Sequence, residues 1–127
     1  MPLVRVDLPE TVSRDAALAV SAAVHNAMVK TFNVPAEDLF QTVTRRPVGE
    51  IVCTPEFLGI RHSANVAFVQ ITCAPGRSLD MKKALYAKIA TDVASEGGLV
   101  AGDVIINLVE TARENWSFGN GIAQYAL

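Results

Sequence analysis

The alternation of apolar and polar residues begins almost at once. From Leu3 to Leu8 the chain reads LVRVDL, with Val4, Val6 and Leu8 on one parity and Leu3, Arg5 and Asp7 on the other. A period of two with one apolar face predicts a half-buried strand. The period then lengthens. Val20, Val24, Ala27 and Met28 recur at i, i+4, i+7 and i+8, which predicts a helix running to about Phe32. Ser13 stands where an N-cap is needed, and Asn33 and Pro35 close the helix. LFQTVTRR, over about 39–46, predicts a second strand. Pro47 to Ser63 is rich in Pro and Gly with mixed polarity, and is expected to be a long connection.

The same plan then returns. VAFVQITC over 66–73 predicts a third strand, and Ser78 caps a second helix whose Met81, Leu85, Ile89 and Val93 share one face. Gly97 and Gly98 end that helix, and VIINLVE over 104–110 predicts a fourth strand. An offset of about 65 residues places Ser13 on Ser78 and Asp38 on Asp103. The chain is therefore expected to be one domain over 1–127, made of two tandem β-α-β units at about 1–63 and 64–127. A right-handed crossover makes the two strands of each unit parallel and puts both helices on the sheet. The expected class is α/β (α+β), a four-stranded mixed sheet with two helices on one face. Strands three and four are apolar on both parities, the mark of strands buried on both sides. Two helices cover one face only. The other face is expected to meet further copies of the chain, so a homo-oligomer is predicted.

Composition narrows the possibilities. With 127 residues, half of them hydrophobic and 19% charged, the chain can bury one real core but not two ordinary ones. The net charge is −2 and no stretch is dense in Lys or Arg, which argues against nucleic-acid binding. No apolar run approaches the length of a membrane span, and the N-terminus lacks the regions of a signal peptide. Cys53 and Cys73 have neither CxxC nor zinc-site spacing, and are expected to be reduced thiols of a cytoplasmic protein. His25 and His62 stand far apart, so no metal site is expected, and nothing in the sequence implies an organic cofactor.

The candidate chemistry begins with Pro2. If Met1 is removed, the nitrogen of Pro2 becomes a secondary amine at the start of a strand. An ordinary α-amino group titrates at about 8, so a modest shift brings it to neutrality. At position 2 alone, a terminus that frays and does nothing is the ordinary expectation. Arg77, between the third strand and the Ser78 cap, can offer two parallel donors to a carboxylate; otherwise it is a solvated loop arginine. Asp38 reads equally as a loop cap, since Asp103 holds the matching place in the other half. His25 lies mid-helix beside the apolar stripe and is expected to be structural, and Cys73 to be a small buried filler. Arg45, Arg46 and Arg61 are expected at the surface, each able to supply a second guanidinium to a dianionic substrate.

Three stretches carry a resemblance over nearly the whole chain: FNVPAEDLFQTV, GRSLDMKKALY and ENWSFGNGIAQYAL. Together with a proline at position 2 and two β-α-β units, they resemble the tautomerase superfamily, in particular its malonate semialdehyde decarboxylase-like branch. The resemblance implies a homotrimer with sheets packed inward and helices outside. It implies Pro2, after loss of Met1, as catalytic acid or base, and Arg77 as the group that binds the substrate carboxylate. Asp38 falls on the acidic residue of the decarboxylase members, and Trp116 and Phe118 on their apolar wall. One departure stands out. The decarboxylase pattern has two arginines flanking a proline, whereas here the stretch is Cys73-Ala74-Pro75-Gly76-Arg77, so only Arg77 matches. The leading expectation is thus a cofactor-independent tautomerase that transfers a proton between enol and keto forms of a 2-oxo acid. A lyase or hydratase acting on a 3-oxo acid through protonated Pro2 and Asp38 is the alternative. A non-catalytic oligomeric binding module, favoured by retention of Met1, is the third.

Overall fold

The computed structural model describes residues 1–127. β1, Leu3–Pro9, buries Val4, Val6 and Leu8 and leaves Leu3 and Arg5 exposed, as its alternation requires. α1, Arg14–Phe32, starts where the Ser13 hydroxyl accepts a hydrogen bond from the Ala16 N–H at 3.1 Å. It stops at Asn33, whose left-handed backbone (φ 55°) turns the chain away. β2, Gln41–Arg46, follows. The long connection holds one feature that its polarity pattern does not foretell, a short hairpin of β3 (Glu56–Phe57) and β4 (Ile60–Arg61) turning at Leu58 and Gly59. Strands of two residues exposed on both sides leave no periodic signal. β5 (Ala67–Cys73), α2 (Leu79–Glu96) and β6 (Val104–Glu110) repeat the first half, with the Ser78 hydroxyl capping the Met81 N–H at 3.2 Å.

The four long strands form one sheet in the order β2-β1-β5-β6. β1 runs parallel to β2 and β5 parallel to β6, while the central β1–β5 pair is antiparallel. The core lies between one sheet face and the two helices. Val4, Val6, Leu8, Val69 and Ile71 from the sheet meet Val20, Val24 and Met28 of α1 and Leu85, Ile89 and Val93 of α2. Burying a side chain of this size contributes roughly 1.5–3 kcal/mol, so the two helical stripes carry much of the fold. Where α2 ends against α1 the fit is tight: a Cβ on Gly97 would stand 2.7 Å from Val20 Cγ2 and 2.9 Å from the Val93 carbonyl.

The opposite sheet face is covered by neither helix. Arg5, Asp7, Gln70 and Asn107 share it with Phe68 and Ile105 around a shallow hollow of about 330 Å3. No helix of the chain is long and apolar enough to cross a membrane.

Asp103, in the turn before β6, is 1% exposed and locks the start of the second half. It accepts the Ser63 N–H at 2.7 Å and the Ser63 hydroxyl at 2.5 Å. Hydrogen bonds to a charged group are each worth about 1.5–3 kcal/mol. Asp103→Ala is therefore expected to lower the unfolding free energy in urea by about 2–4 kcal/mol. A loss under about 0.5 kcal/mol, the scale of a neutral surface change, would contradict the lock.

Candidate active site

The topology brings four separate segments to one end of the sheet. Leu3 pairs with Thr72, so the start of β1 lies beside the end of β5. Cys73 pairs with Glu110, so β6 ends there too, and Val4 pairs with Gln41, so β2 begins there. The chain start, the 33–40 loop, the 74–77 loop and the 111–115 turn therefore converge. The Thr111 N–H donates to the Cys73 carbonyl at 2.9 Å and the Val4 N–H to the Phe40 carbonyl at 2.9 Å, which fixes these segments side by side. They enclose an open cavity of about 430 Å3 whose polar lining includes Met1, Asp38, Arg77, Arg113 and Tyr125.

The α-amino group of Met1 donates to Asp38 Oδ2 at 2.7 Å. Two contacts hold the loop that carries this carboxylate. The Asp38 N–H donates to the Pro35 carbonyl at 3.0 Å, and His25 Nε2 stands 2.8 Å from the Ala36 carbonyl. His25 thus has the structural place expected of it, one that bears on Asp38. Pro2 is buried directly behind Met1, with its nitrogen inside the Met1–Pro2 peptide bond. The related residues of the two halves have diverged. Asp103 is buried against Ser63, whereas Asp38 is partly open and grips the chain's amine.

Arg77 is held from behind. Its Nη1 donates to the Ala74 carbonyl at 3.0 Å and its Nη2 to the Phe32 carbonyl at 3.4 Å, and the guanidinium lies 5.0 Å over the Phe32 ring. Phe32 ends α1, where the helix dipole favours a cation. A guanidinium has five N–H donors, so these two bonds orient it and leave donors for a ligand. Cys73 is buried nearby. Burial pushes its thiol above the ordinary range, with the charge of Arg77 opposing.

The aromatic residues form a graded stack. Trp116 and Phe118 lie parallel at 5.2 Å, Phe40 tilts against Phe118 at 5.4 Å, and Tyr125 meets Phe118 edge-on at 5.4 Å. Tyr125 is the ring that lines the cavity; Phe118 meets its ring edge-on and Trp116 stacks on Phe118, and contrary to the sequence expectation neither of these two is on the lining. Such pairs contribute about 0.5–1.5 kcal/mol each beyond burial, and Gln124 ties the turn by accepting the Phe118 N–H at 2.9 Å.

Two cavity residues escaped the sequence reading, Tyr125 and Arg113. Arg113 lies in the turn after β6, its Cζ 5.9 Å from the centre of the Tyr125 ring. The only signal was its place three residues before Trp116, in the run leading to the C-terminal motif. The arginines weighed in its stead lie elsewhere. Arg45 donates to the carbonyls of Val12 and Glu10 at 2.8 and 2.7 Å, Arg46 pairs with Asp7 at 3.0 Å, and Arg61 sits on the β3–β4 hairpin.

Comparison with known proteins bears on this arrangement. A family profile described as tautomerase enzyme matches residues 38–119, and a second with the same description matches residues 2–56. The chain is 34% identical to the probable tautomerase YusQ of Bacillus subtilis (strain 168), over 98% of each chain. It superposes on the crystal structure of the FG41 malonate semialdehyde decarboxylase inhibited by 3-bromopropiolate with a TM-score of 0.90 and 35% identity, covering 97% of this chain and 93% of that one. A fused 4-OT symmetric trimer shares the fold at a TM-score of 0.78 and 21% identity, over 98% of each chain.

Proposed function

The chain belongs to the tautomerase superfamily, on its malonate semialdehyde decarboxylase-like branch, and on that premise we propose that this tautomerase-type enzyme interconverts the enol and keto forms of a 2-oxo acid. Loss of Met1 leaves the nitrogen of Pro2 as a free secondary amine at the cavity. As base it takes the enol hydroxyl proton while a proton is delivered to the adjacent carbon, so substrate and product are isomers and no other reagent is consumed. Arg77 holds the carboxylate through paired N–H donors and steadies charge on the enolate oxygen. Tyr125, backed by Phe118 and Trp116, supplies the apolar side. The observation that carries this reading is the presence of the chain's amino terminus and Arg77 in one cavity. The experiment is to confirm loss of Met1 by intact mass and follow ketonisation of phenylenolpyruvate by absorbance. Acceleration above the buffer rate is expected; no acceleration would refute the reading.

One contact favours a second reading. Asp38 lies 2.7 Å from the Met1 amine, one residue before the Pro2 nitrogen. A carboxylate in reach of the terminal nitrogen can serve as the ionic partner of a protonated amine. A protonated Pro2 would polarise a carbonyl instead of accepting a proton, as decarboxylation or hydration of a 3-oxo acid requires. Asp38→Asn separates the two. If the amine acts as base, ketonisation is expected to change by less than about 10-fold. If the lyase chemistry is the main activity, 3-oxo acid decarboxylation should be measurable in the native enzyme and fall by about 10²-fold, the scale of a removed acid–base group.

The same reading includes a homotrimer, supported by the uncovered sheet face and by the trimeric relative of the same fold. It also places the enzyme in the cytoplasm, where the two free thiols suit a reducing compartment.

A further inference from the structure

The loop that carries Asp38 is gripped on both sides of that residue by one face of α1. Ser21 and His25 stand one turn apart on the helix, a spacing that puts both side chains on the same face. His25 Nε2 lies 2.8 Å from the Ala36 carbonyl, two residues before Asp38. The Ser21 hydroxyl donates to Gln41 Oε1, three residues after it. Between these grips the chain makes a tight turn, with the Asp38 N–H on the Pro35 carbonyl at 3.0 Å and the Leu39 N–H on the Glu37 carbonyl at 2.9 Å. The helix itself is anchored through Val24, Ala27 and Met28, each 1% exposed or less. A carboxylate of the cavity is thus carried on a short loop referenced to a rigid element. Neither grip involves Met1, so both are independent of its removal.

The imidazole is also held in one tautomer. A carbonyl only accepts, so Nε2 bears the hydrogen, and Nδ1 of the neutral ring is left as an acceptor. Nδ1 is buried without a partner, and so is the amide Nε2 of Gln41, whose Oε1 is taken by Ser21. Buried groups left unpaired cost stability. A leucine in place of His25 would fill the same space without that cost. What leucine lacks is the N–H directed at Ala36.

Resting on the assignment of this cavity as the catalytic site, we propose that His25 is a positioning residue for Asp38. Its Nε2–H holds the Ala36 carbonyl and, with the Ser21–Gln41 contact, sets where the Asp38 carboxylate stands in the cavity. His25 is not on the cavity lining, so it acts through Asp38 and not on the substrate. The far end of the same loop is tied to β1, where the Val4 N–H donates to the Phe40 carbonyl at 2.9 Å. Asp38 lies between these two fixed points, so a shift at Ala36 is taken up at its carboxylate.

The test uses the Met1-free protein and begins with amide hydrogen exchange, which depends on no activity. His25→Leu is expected to speed exchange at the Asp38 and Leu39 amides by about 3- to 10-fold, the scale of one lost hydrogen bond. The amides of β5 and β6 should keep their rates. His25→Gln places an amide N–H near the position of Nε2 and should restore native exchange. His25→Asn is too short to reach Ala36 and should behave as His25→Leu does, which keeps the test decisive if the leucine variant fails to fold. Exchange that neither His25→Leu nor His25→Asn changes, or that His25→Gln does not restore, overturns the proposal. The second readout is a double-mutant cycle in whichever reaction Asp38→Asn slows, ketonisation of phenylenolpyruvate or decarboxylation of 3-oxopropanoate. His25→Asn should lower kcat/KM there by about 3-fold or more, and by less than about 2-fold in the Asp38→Asn background. A merely structural role would cost the same in both backgrounds and overturns the proposal. So does an Asp38→Asn protein with native rates in both reactions. A native protein that accelerates neither reaction loses the assigned chemistry, and the exchange rates then decide the grip on the loop by themselves.

Discussion

Pro2→Ala is expected to lower kcat/KM for ketonisation by about 10² to 10⁴-fold, the range attributed to a positioned acid–base group. The expectation has two physical parts. Alanine at the terminus still offers an amine, so the loss reports position and basicity and not the mere presence of nitrogen. Proline restricts its nitrogen to one direction through the ring, and here the ring is buried at the root of β1. An alanine amine at the same place is primary, less enclosed and free to turn toward Asp38. A companion variant keeps Pro2 but adds residues before it, so that its nitrogen remains an amide with no proton to exchange. That form should be at least as inactive. It should also keep the stability of the native fold, because β1 and its partners are untouched. Native rates from the extended form would remove Pro2 from the mechanism. Intact masses must accompany both measurements, since a retained Met1 puts an amine 2.7 Å from Asp38 and an amide at position 2.

The elements were legible where one face of a segment is buried by its own chain. Of the predicted stripes of α1 and α2, Val20, Val24, Ala27, Met28, Leu85, Ile89 and Val93 sink to less than 2% exposure, while Met81, which reaches the cavity, stays partly exposed. Ser13 and Ser78 cap where a hydroxyl was expected because the first N–H groups of a helix have no other partner. The β3–β4 hairpin escaped because no side chain there alternates between core and solvent. The site was legible in proportion to its position on regular elements. Arg77 sits between a strand end and a helix cap, so its place could be deduced. Arg113 and Tyr125 reach the cavity through an irregular C-terminal path held by Gln124 and by the Thr111–Cys73 bond, contacts that no local period encodes. Asp38 was ambiguous because its counterpart Asp103 is a lock. Only the partner distinguishes them, a serine in one half and the chain's amine in the other.

Arg77→Ala is expected to lower kcat/KM by about 10²-fold, and the two duties of this side chain can be separated. Toward a ligand it offers donors to a carboxylate, and charge-assisted hydrogen bonds of that kind are worth about 1.5–3 kcal/mol. If the guanidinium also steadies the enolate in the transition state, about 2.7–4 kcal/mol per lost donor is the relevant scale. Binding alone would raise KM with kcat preserved; transition-state contact lowers kcat as well. Toward the fold, the same group ties the 74–77 loop to the end of α1 through the carbonyls of Ala74 and Phe32. Its removal should therefore also cost about 1–2 kcal/mol of unfolding free energy, a modest figure because those bonds are partly open to water. Arg77→Lys tells the two apart. A lysine retains the charge and can reach one carbonyl, so most of the stability should return. It cannot present the paired N–H fork, so kcat/KM should stay at least about 10-fold below native. A lysine variant with native kcat/KM would mean that charge alone suffices. An alanine variant with native kcat/KM and reduced stability would make Arg77 a strut of the loop and leave Arg113 as the only cavity guanidinium available to the carboxylate.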